Sequence, residues 1–386
     1  MGIALGPSEV LASGVRDGDV PGIVALAANR DGIIYEGAFG ERQLGGGTEM
    51  TLDSVFWIAS MTKALTTVAA LQLVEQARLS LDSPISTVLP RLKDVQVLEG
   101  FDQQGMPRLR PPARPITLRH LLTHTAGFGY DIWNADIGRY MAHAGLPSVS
   151  ECKNAALTTP LVFDPGDRWE YGINIDWAGK AVEAVSGLSL DAYLRHNLFE
   201  PLGMRDTGFV LGTHQRARLV SMHVRDSAGA LTPIAFEVPQ EPEFFMGGGG
   251  LYSTGPDYLR FLRMLLNQGT LDGEQVLKSD TVDKMFANQI GDIDAGVMYT
   301  TNTKSSLDHN PYPGMPIRWG LGFMITMEPT PHGRSGGSVA WAGLANTYYW
   351  IDAAQGIAGV IMTQILPFVD PKVMQLYGRF ERAIYT

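Results

Sequence analysis

A chain of 386 residues, 45% hydrophobic and 18% charged, is long enough to bury a large core and to form two packed regions. Its net charge of −10, with no basic cluster interleaved with aromatics, speaks against nucleic acid or an anionic membrane as partner. A single cysteine, Cys152, excludes an internal disulfide and a cysteine-rich metal site.

No apolar run reaches the roughly 18 residues that a membrane helix needs. The segment Met1–Pro7 lacks the charged region and apolar core of a signal peptide, so a soluble, cytoplasmic protein is expected. Residues 8–17 read as a short helix. Gly22–Ala28 and Ile33–Phe39 read as strands, joined by a turn at Asn29-Arg30-Asp31-Gly32. Gly45-Gly46-Gly47 reads as a loop, and neither it nor Gly247–Gly250 completes a phosphate-binding motif. After the apolar run Val55–Ala59, a long helical pattern runs from Ala64 to about Arg78, uninterrupted by Gly or Pro. Leu81-Asp82-Ser83-Pro84 turns the chain into a further helix start.

From about residue 80 to 310 the pattern is helices joined by long, proline-punctuated loops, with few strand signals. Helices are predicted at 117–123, 136–143, 174–186, 189–197 and 256–268. The last part changes character. Trp319–Met327, Val339–Ile351 and Gly356–Gln364 read as strands, and a final helix follows Pro371. The expected organisation is a sheet domain built from both termini, 1–80 with 311–386, and a mostly helical insertion at 81–310.

Ser60-Met61-Thr62-Lys63 stands at the start of the Ala64 helix. If Ser60 begins that helix, Lys63 lies one turn on, on the same face, and the amine can meet the hydroxyl. A lysine whose pKa burial lowers can take the serine proton, which suits acyl transfer. The same spacing also describes an N-cap serine followed by a surface lysine, so partners elsewhere decide. Tyr171, in a loop that runs into a helix, can share a proton with a buried lysine, or can equally be a structural tyrosine. His120 and His124 have a zinc-like spacing, but Leu121 stands where a glutamate is expected and no third ligand is evident. No metal is expected. Asp102, Asp131 and Asp136 lie on loops without a paired-carboxylate pattern and read as solvated. Gly333-Arg334-Ser335-Gly336-Gly337 fits a nucleophile elbow, yet a strand follows it instead of a helix. The last histidine is His332, so no histidine can follow Ser335 to complete a triad.

Ser60-x-x-Lys63, Tyr171 and Trp341-Ala342-Gly343 together resemble the serine β-lactamase-like superfamily, in particular the family VIII carboxylesterases related to class C β-lactamases. Leu118–Gly127 and Gly247–Ser253 support the resemblance, which spans about Gly22 to Gln364. It implies an α/β (α+β) fold of the β-lactamase/penicillin-binding-protein type: an antiparallel sheet with flanking helices and an inserted, mostly helical domain. It implies Ser60 as nucleophile, Lys63 and Tyr171 as the base pair, and an oxyanion hole from the backbone N–H groups of Ser60 and Leu344. Two positions depart from the β-lactamase pattern. Ile173 stands where that pattern has Asn, and Trp341 stands where it has the Lys of Lys-Thr-Gly. Both favour a neutral ester. The expectation is a serine carboxylesterase acting on small-molecule, short-acyl esters, without a cofactor. An acyltransferase, a weak β-lactamase or D-amino-peptide hydrolase, and an inactive ligand-binding relative are the alternatives. Phe128, Tyr130, Trp133, Phe244, Phe245, Trp341 and Gly343 are the expected pocket residues.

Overall fold

The computed structural model describes residues 5–386. Gly22-Ile23-Val24-Ala25-Leu26-Ala27-Ala28 is apolar on both alternations, and such a strand must be covered on both faces. It forms β1 (Gly22–Asn29), which pairs antiparallel with β2 (Ile33–Gly40). The partners on its other side come from the far end of the chain: β3 (Ile317–Trp319), β4 (Met324–Thr326), β5 (Val339–Gly343), β6 (Thr347–Asp352) and β7 (Ile357–Met362). Numbering only the strands of this sheet, the order is β3-β4-β5-β6-β7-β1-β2. Every neighbouring pair is antiparallel.

Five of the helices matter most to the site and its sheet: α1 (Pro7–Arg16), α2 (Thr62–Glu75), α3 (Asn174–Ser186), α4 (Gly255–Leu266) and α5 (Pro371–Tyr385). Both faces of the sheet are covered, as neighbouring residues of β6 show. Tyr349 meets Tyr258 of α4 at 5.3 Å between rings, while Trp350 meets Tyr377 and Phe380 of α5 at 5.9 and 6.0 Å. α1 packs against α5 on the same side as Tyr35 and Phe380. α4 starts so close to β1 that a Cβ at Gly255 would lie 2.4 Å from Leu26 Cδ1 and 2.9 Å from Val24 Cγ1, so a larger residue there would have to displace those side chains.

α2 has no polar stripe: from Thr62 to Leu73 every residue is buried, which marks a helix enclosed on all sides. It packs on α3. Just before it, Phe56–Trp57 pairs antiparallel with Tyr252–Ser253. That pairing brings the glycine loop 247–250 beside the start of α2.

The predicted helices form close to their expected bounds, with two adjustments. The α2 pattern opens on a single 3-10 turn, Ala59–Met61, and the helix ends at Glu75 rather than near Arg78. The 189–197 helix passes through a π-helical turn at Arg195–Phe199. Three strand expectations are corrected. Trp319–Met327 is not one strand but the end of β3, a turn through Gly320 and Gly322, and β4. Val339–Ile351 is a hairpin, β5 and β6, turning at Leu344–Asn346, where Asn346 adopts φ 59°. The middle of the chain holds more strand than expected, including paired segments at Val97–Phe101 with Pro107–Arg110 and at Met222–Arg225 with Leu231–Ile234.

Candidate active site

Ser60 lies in the turn that precedes α2. Ala59 before it has φ 43°, a left-handed conformation that costs a non-glycine residue about 1–3 kcal/mol. The surroundings fix it. Met61 N–H donates to Ile58 O at 3.0 Å, and Tyr258 Oη of α4 donates to Met61 O at 3.0 Å. β5 presses from the other side: a Cβ at Gly343 would fall 2.4 Å from Ile58 O and 2.3 Å from Thr347 Oγ1. The glycine therefore lets β5 abut the serine turn, and Leu344, the next residue, reaches the same cavity wall as Ser60.

Lys63 follows one turn into the helix and is buried. Its Nζ donates to Ser60 Oγ at 3.1 Å, to Tyr130 Oη at 3.1 Å and to the Gly248 carbonyl at 2.6 Å. The same nitrogen lies 4.6 Å from the centre of the Tyr171 ring and 5.2 Å from that of Tyr130. The S-x-x-K pair is thus a buried contact, not an N-cap and a surface lysine. Burial pushes the Lys63 amine well below its ordinary 10.5, and the nearby Asp176 carboxylate opposes that shift.

Tyr171 reaches the site from the loop before α3. Gly172 beside it packs against Phe128 and Gly129, where a Cβ would stand 2.2 Å from Phe128 O. That close approach brings the Tyr130 and Tyr171 rings to 5.5 Å. Tyr171 Oη accepts a hydrogen bond from Trp341 Nε1 at 2.8 Å. Burial raises its pKa, and hydrogen bonds with Ser60 and Trp341 oppose the rise, so the phenol holds its proton at neutral pH. Tyr130 is shifted the same way, by burial first and then by the Asp176, Tyr171 and Asp131 charges. His124 packs its ring 4.7 Å from that of Tyr171, and burial, then Lys63, holds it neutral.

A cavity of about 170 Å³ opens beside Ser60. Of the expected pocket residues, Tyr130 and Trp133 line it, and so does Leu344, expected as an oxyanion-hole donor. Four do not. Phe128 is wholly buried, stacks on Trp177 at 6.2 Å between rings and borders a different cavity. Phe245 packs on Phe209 at 5.1 Å, and Phe244 is buried beneath Lys180. Trp341 is 4% exposed, lies behind Tyr171 against His309 and Trp319, and has its N–H taken, so no substrate packs on its indole. Gly343 serves by close approach, not as lining. Residues absent from the expectation complete the wall: Trp57, Asp131, Ile132, Ser148–Ser150, Met246, Gly248, Gly249 and Ser305. Trp57 Nε1 ties to Gly249 O at 2.7 Å and Trp133 Nε1 to Ser306 Oγ at 3.1 Å. Trp57 and Trp133 carry no sequence signal that separates lining from core; the glycine run 247–250 does carry one, since it marks close backbone approach.

The remaining candidates have other tasks. His120 Nδ1 accepts the Thr117 N–H, closing the start of its own helix, while His124 bonds to Asn174 Nδ2 at 3.0 Å. No group of three or more metal-ligating side chains is assembled among the described residues. Ser335 sits in a turn whose N–H donates to Asp352 Oδ2 at 2.7 Å, and β5 follows it. Ile173 is buried, and Asn174 Nδ2 is spent on His124 and the Phe128 carbonyl, while its Oδ1 has no hydrogen-bond partner.

A serine hydroxyl beside a buried amine at a strained turn, roofed by a strand from the far end of the chain, is an arrangement that suits serine acyl transfer. The Beta-lactamase family profile matches residues 8–383, and the chain belongs to that family. It is 35% identical to the lovastatin esterase of Penicillium rubens, over 96% of each chain. It is 34% identical to the monacolin J acid methylbutanoyltransferase of Aspergillus terreus, over 96% of this chain and 93% of the relative. Among solved structures, a simvastatin synthase mutant (LovD6) from Aspergillus terreus superposes with a TM-score of 0.86 at 33% identity, covering 99% of this chain and 95% of that one. No helix among the described residues is long and apolar enough to cross a membrane.

Proposed function

We propose that the protein is a serine carboxylesterase that cleaves short-acyl esters through an acyl-enzyme. The observation that carries this reading is the 3.1 Å contact between Lys63 Nζ and Ser60 Oγ inside a buried site. In its neutral form Lys63 takes the hydroxyl proton as Ser60 Oγ attacks the ester carbonyl. The backbone N–H groups of Ser60 and Leu344 hold the developing oxyanion, a contribution of about 3 kcal/mol per donor in comparable sites. The tetrahedral intermediate collapses, the C–O bond to the alcohol breaks, and Tyr171 passes a proton to the leaving oxygen, regaining one from Lys63. Water then attacks the acyl-enzyme by the same route in reverse order, releasing acid and free Ser60. No step calls for a metal or cofactor.

This reading treats the chain as two parts that meet at the site. Residues 1–80 with 311–386 supply Ser60, Lys63 and Leu344, and residues 81–310 supply Tyr130, Tyr171 and Gly248. The preference for neutral esters rests on the cavity wall rather than on the Trp341 indole. No Lys or Arg lines it, and the one carboxylate that does is Asp131.

A second reading, acyl transfer to an alcohol in place of water, is favoured by the names of the relatives, one an esterase and one a methylbutanoyltransferase. Intact-mass detection of the acyl-enzyme over a panel of esters and β-lactams, with peptide mapping and an added alcohol, tests both. Acylation at Ser60 by esters supports the first reading, and partition to the alcohol product over acid supports the second. Absence of any Ser60 adduct would leave the inactive-relative alternative.

A further inference from the structure

Asp176 is a buried charge beside Lys63 that the reaction scheme leaves unused. It lies in the first turn of α3, 1% exposed, facing the amine of Lys63 on α2. Its Oδ1 accepts the Gly248 N–H at 2.8 Å. The carbonyl of that same glycine accepts from Lys63 Nζ at 2.6 Å. One peptide unit to each side of Gly248 therefore links carboxylate to amine. Its Oδ2 has no hydrogen-bond partner, an expensive arrangement for a buried carboxylate unless a nearby positive charge compensates it. There is no space for anything larger than glycine between them: a Cβ at 248 would stand 2.5 Å from Asp176 Oδ2 and 3.0 Å from Tyr130 Oη.

We propose that Asp176 is a positioning residue, which holds the Gly248 carbonyl on Lys63 and supplies the counter-charge that keeps this amine basic enough to take the Ser60 proton. The inference rests on Lys63 being the base. A lysine buried among Tyr130, Tyr171 and neutral His124 has every reason to lose its proton too easily, and a base that is too weak transfers protons poorly. Asp176 is the negative charge that works against this, while burial pushes its own carboxyl upward and the Lys63 charge opposes that. Tyr130 and Tyr171 beside the amine, Lys180 on the same helix, and Cys152 from the loop beside it are the other titratable groups that face Asp176. Asp176 touches no reacting atom. It acts through the amine.

The purely structural alternative is an aspartate that favours the helix start and ties down a loop. The pH profile of kcat/KM separates the two. Asp176→Asn keeps an acceptor for the Gly248 N–H but removes the charge. Lys63 then sheds its proton at lower pH, and the acid limb of kcat/KM moves down by about one unit. The plateau kcat falls severalfold because the free amine is less basic. Asp176→Ala, which also frees the loop, should cost roughly a hundredfold in kcat with KM little changed. Phenyl acetate on the full chain is the probe, with circular dichroism to confirm folding. Gly248→Ala serves as the second route, since its methyl displaces the carbonyl from Lys63 and should cost kcat while Asp176 remains. A profile for Asp176→Asn that superimposes on the wild type, or losses carried by KM alone, overturns the inference. Lys63→Ala, run in parallel, keeps the premise separate. If that variant is fully active, the base assignment fails; if it is dead while the Asp176→Asn profile is unmoved, only the role of Asp176 fails.

Discussion

The indole N–H of Trp341 lies 2.8 Å from the phenolic oxygen of Tyr171. The first residue of the Trp341-Ala342-Gly343 stretch thus spends its donor inside the protein, on the side chain proposed above to pass the proton. A donor on the phenol oxygen stabilises developing negative charge there and fixes the ring against rotation. We expect Trp341→Phe to lower kcat about tenfold, the scale of one lost hydrogen bond, with KM near the wild-type value. In a Tyr171→Phe background the same change should add little. A multiplicative loss in the double variant would place Trp341 outside the Tyr171 unit.

For the nucleophile, Ser60→Ala is expected to reduce ester hydrolysis by on the order of 10³-fold or more, and Ser335→Ala to keep most activity. Steady-state turnover of phenyl butyrate on both variants checks this. Activity that survives loss of Ser60 and disappears with Ser335 would reverse the assignment.

Lys63→Ala and Tyr171→Phe should each be severely impaired, with the double variant scarcely worse than either single, because the two side chains move one proton between them. Their common partner is the basis of the prediction: Lys63 Nζ meets Ser60 Oγ at 3.1 Å, and Tyr171 also hydrogen-bonds with Ser60. Wild-type turnover in Tyr171→Phe would remove that tyrosine from the reaction.

Short-acyl aryl esters should be cleaved far faster than cephalosporins. A β-lactam carries a carboxylate that must leave water, and no cationic side chain lines the cavity to receive it. The relevant measurement is kcat/KM for phenyl acetate and a chromogenic cephalosporin on one preparation, with acetoxy release separated from ring opening. Equal or better turnover of the cephalosporin would put the β-lactamase reading first.

Acid should destabilise the fold through His309. Burial pushes its pKa from 6.5 to about 4, and the Gly296 carbonyl opposes this only in part. The sign follows from linkage: the unfolded chain binds the proton first, so stability is lost as pH falls below the unfolded value and continues to fall toward the folded one. For this group the loss is about 2 kcal/mol between pH 7 and 5. Urea midpoints across that range should therefore drop more steeply in the wild type than in His309→Gln. Parallel curves for the two proteins would show that another group carries the acid sensitivity.

What the sequence reveals of this site is what is written locally. Ser60 and Lys63 are legible because one helical turn brings them together, and β1 and β2 because their alternation and turn lie in a single stretch. Tyr130 as a partner of Lys63, and Asp176 with Gly248, are not legible, because they meet only when α3 packs on α2 and the 247–250 loop follows Tyr252 to its strand partner. The aromatic residues show the limit most clearly. Phe128, Phe245 and Trp133 look alike as composition, yet one stacks in the core, one packs on Phe209 and one borders the cavity. Apolar continuity also hides turns: nothing in the hydropathy of 339–351 marks the hairpin, and the left-handed Asn346 that makes it is one residue in an otherwise extended run.

The order of the sheet has a consequence for how the protein comes into being. Ser60 and Lys63 leave the ribosome early, but β5, which presses Gly343 against the serine turn and brings Leu344 to it, is made only after most of the chain. Until then β1 has no partner on its inner edge, and Ser60 has neither its roof nor Trp341 behind Tyr171. The turn that carries Ser60 is therefore completed only when the last strands pair with the first. The same arrangement makes folding depend on long-range pairing, which is slow, and leaves an unpaired apolar strand exposed to neighbours while it waits.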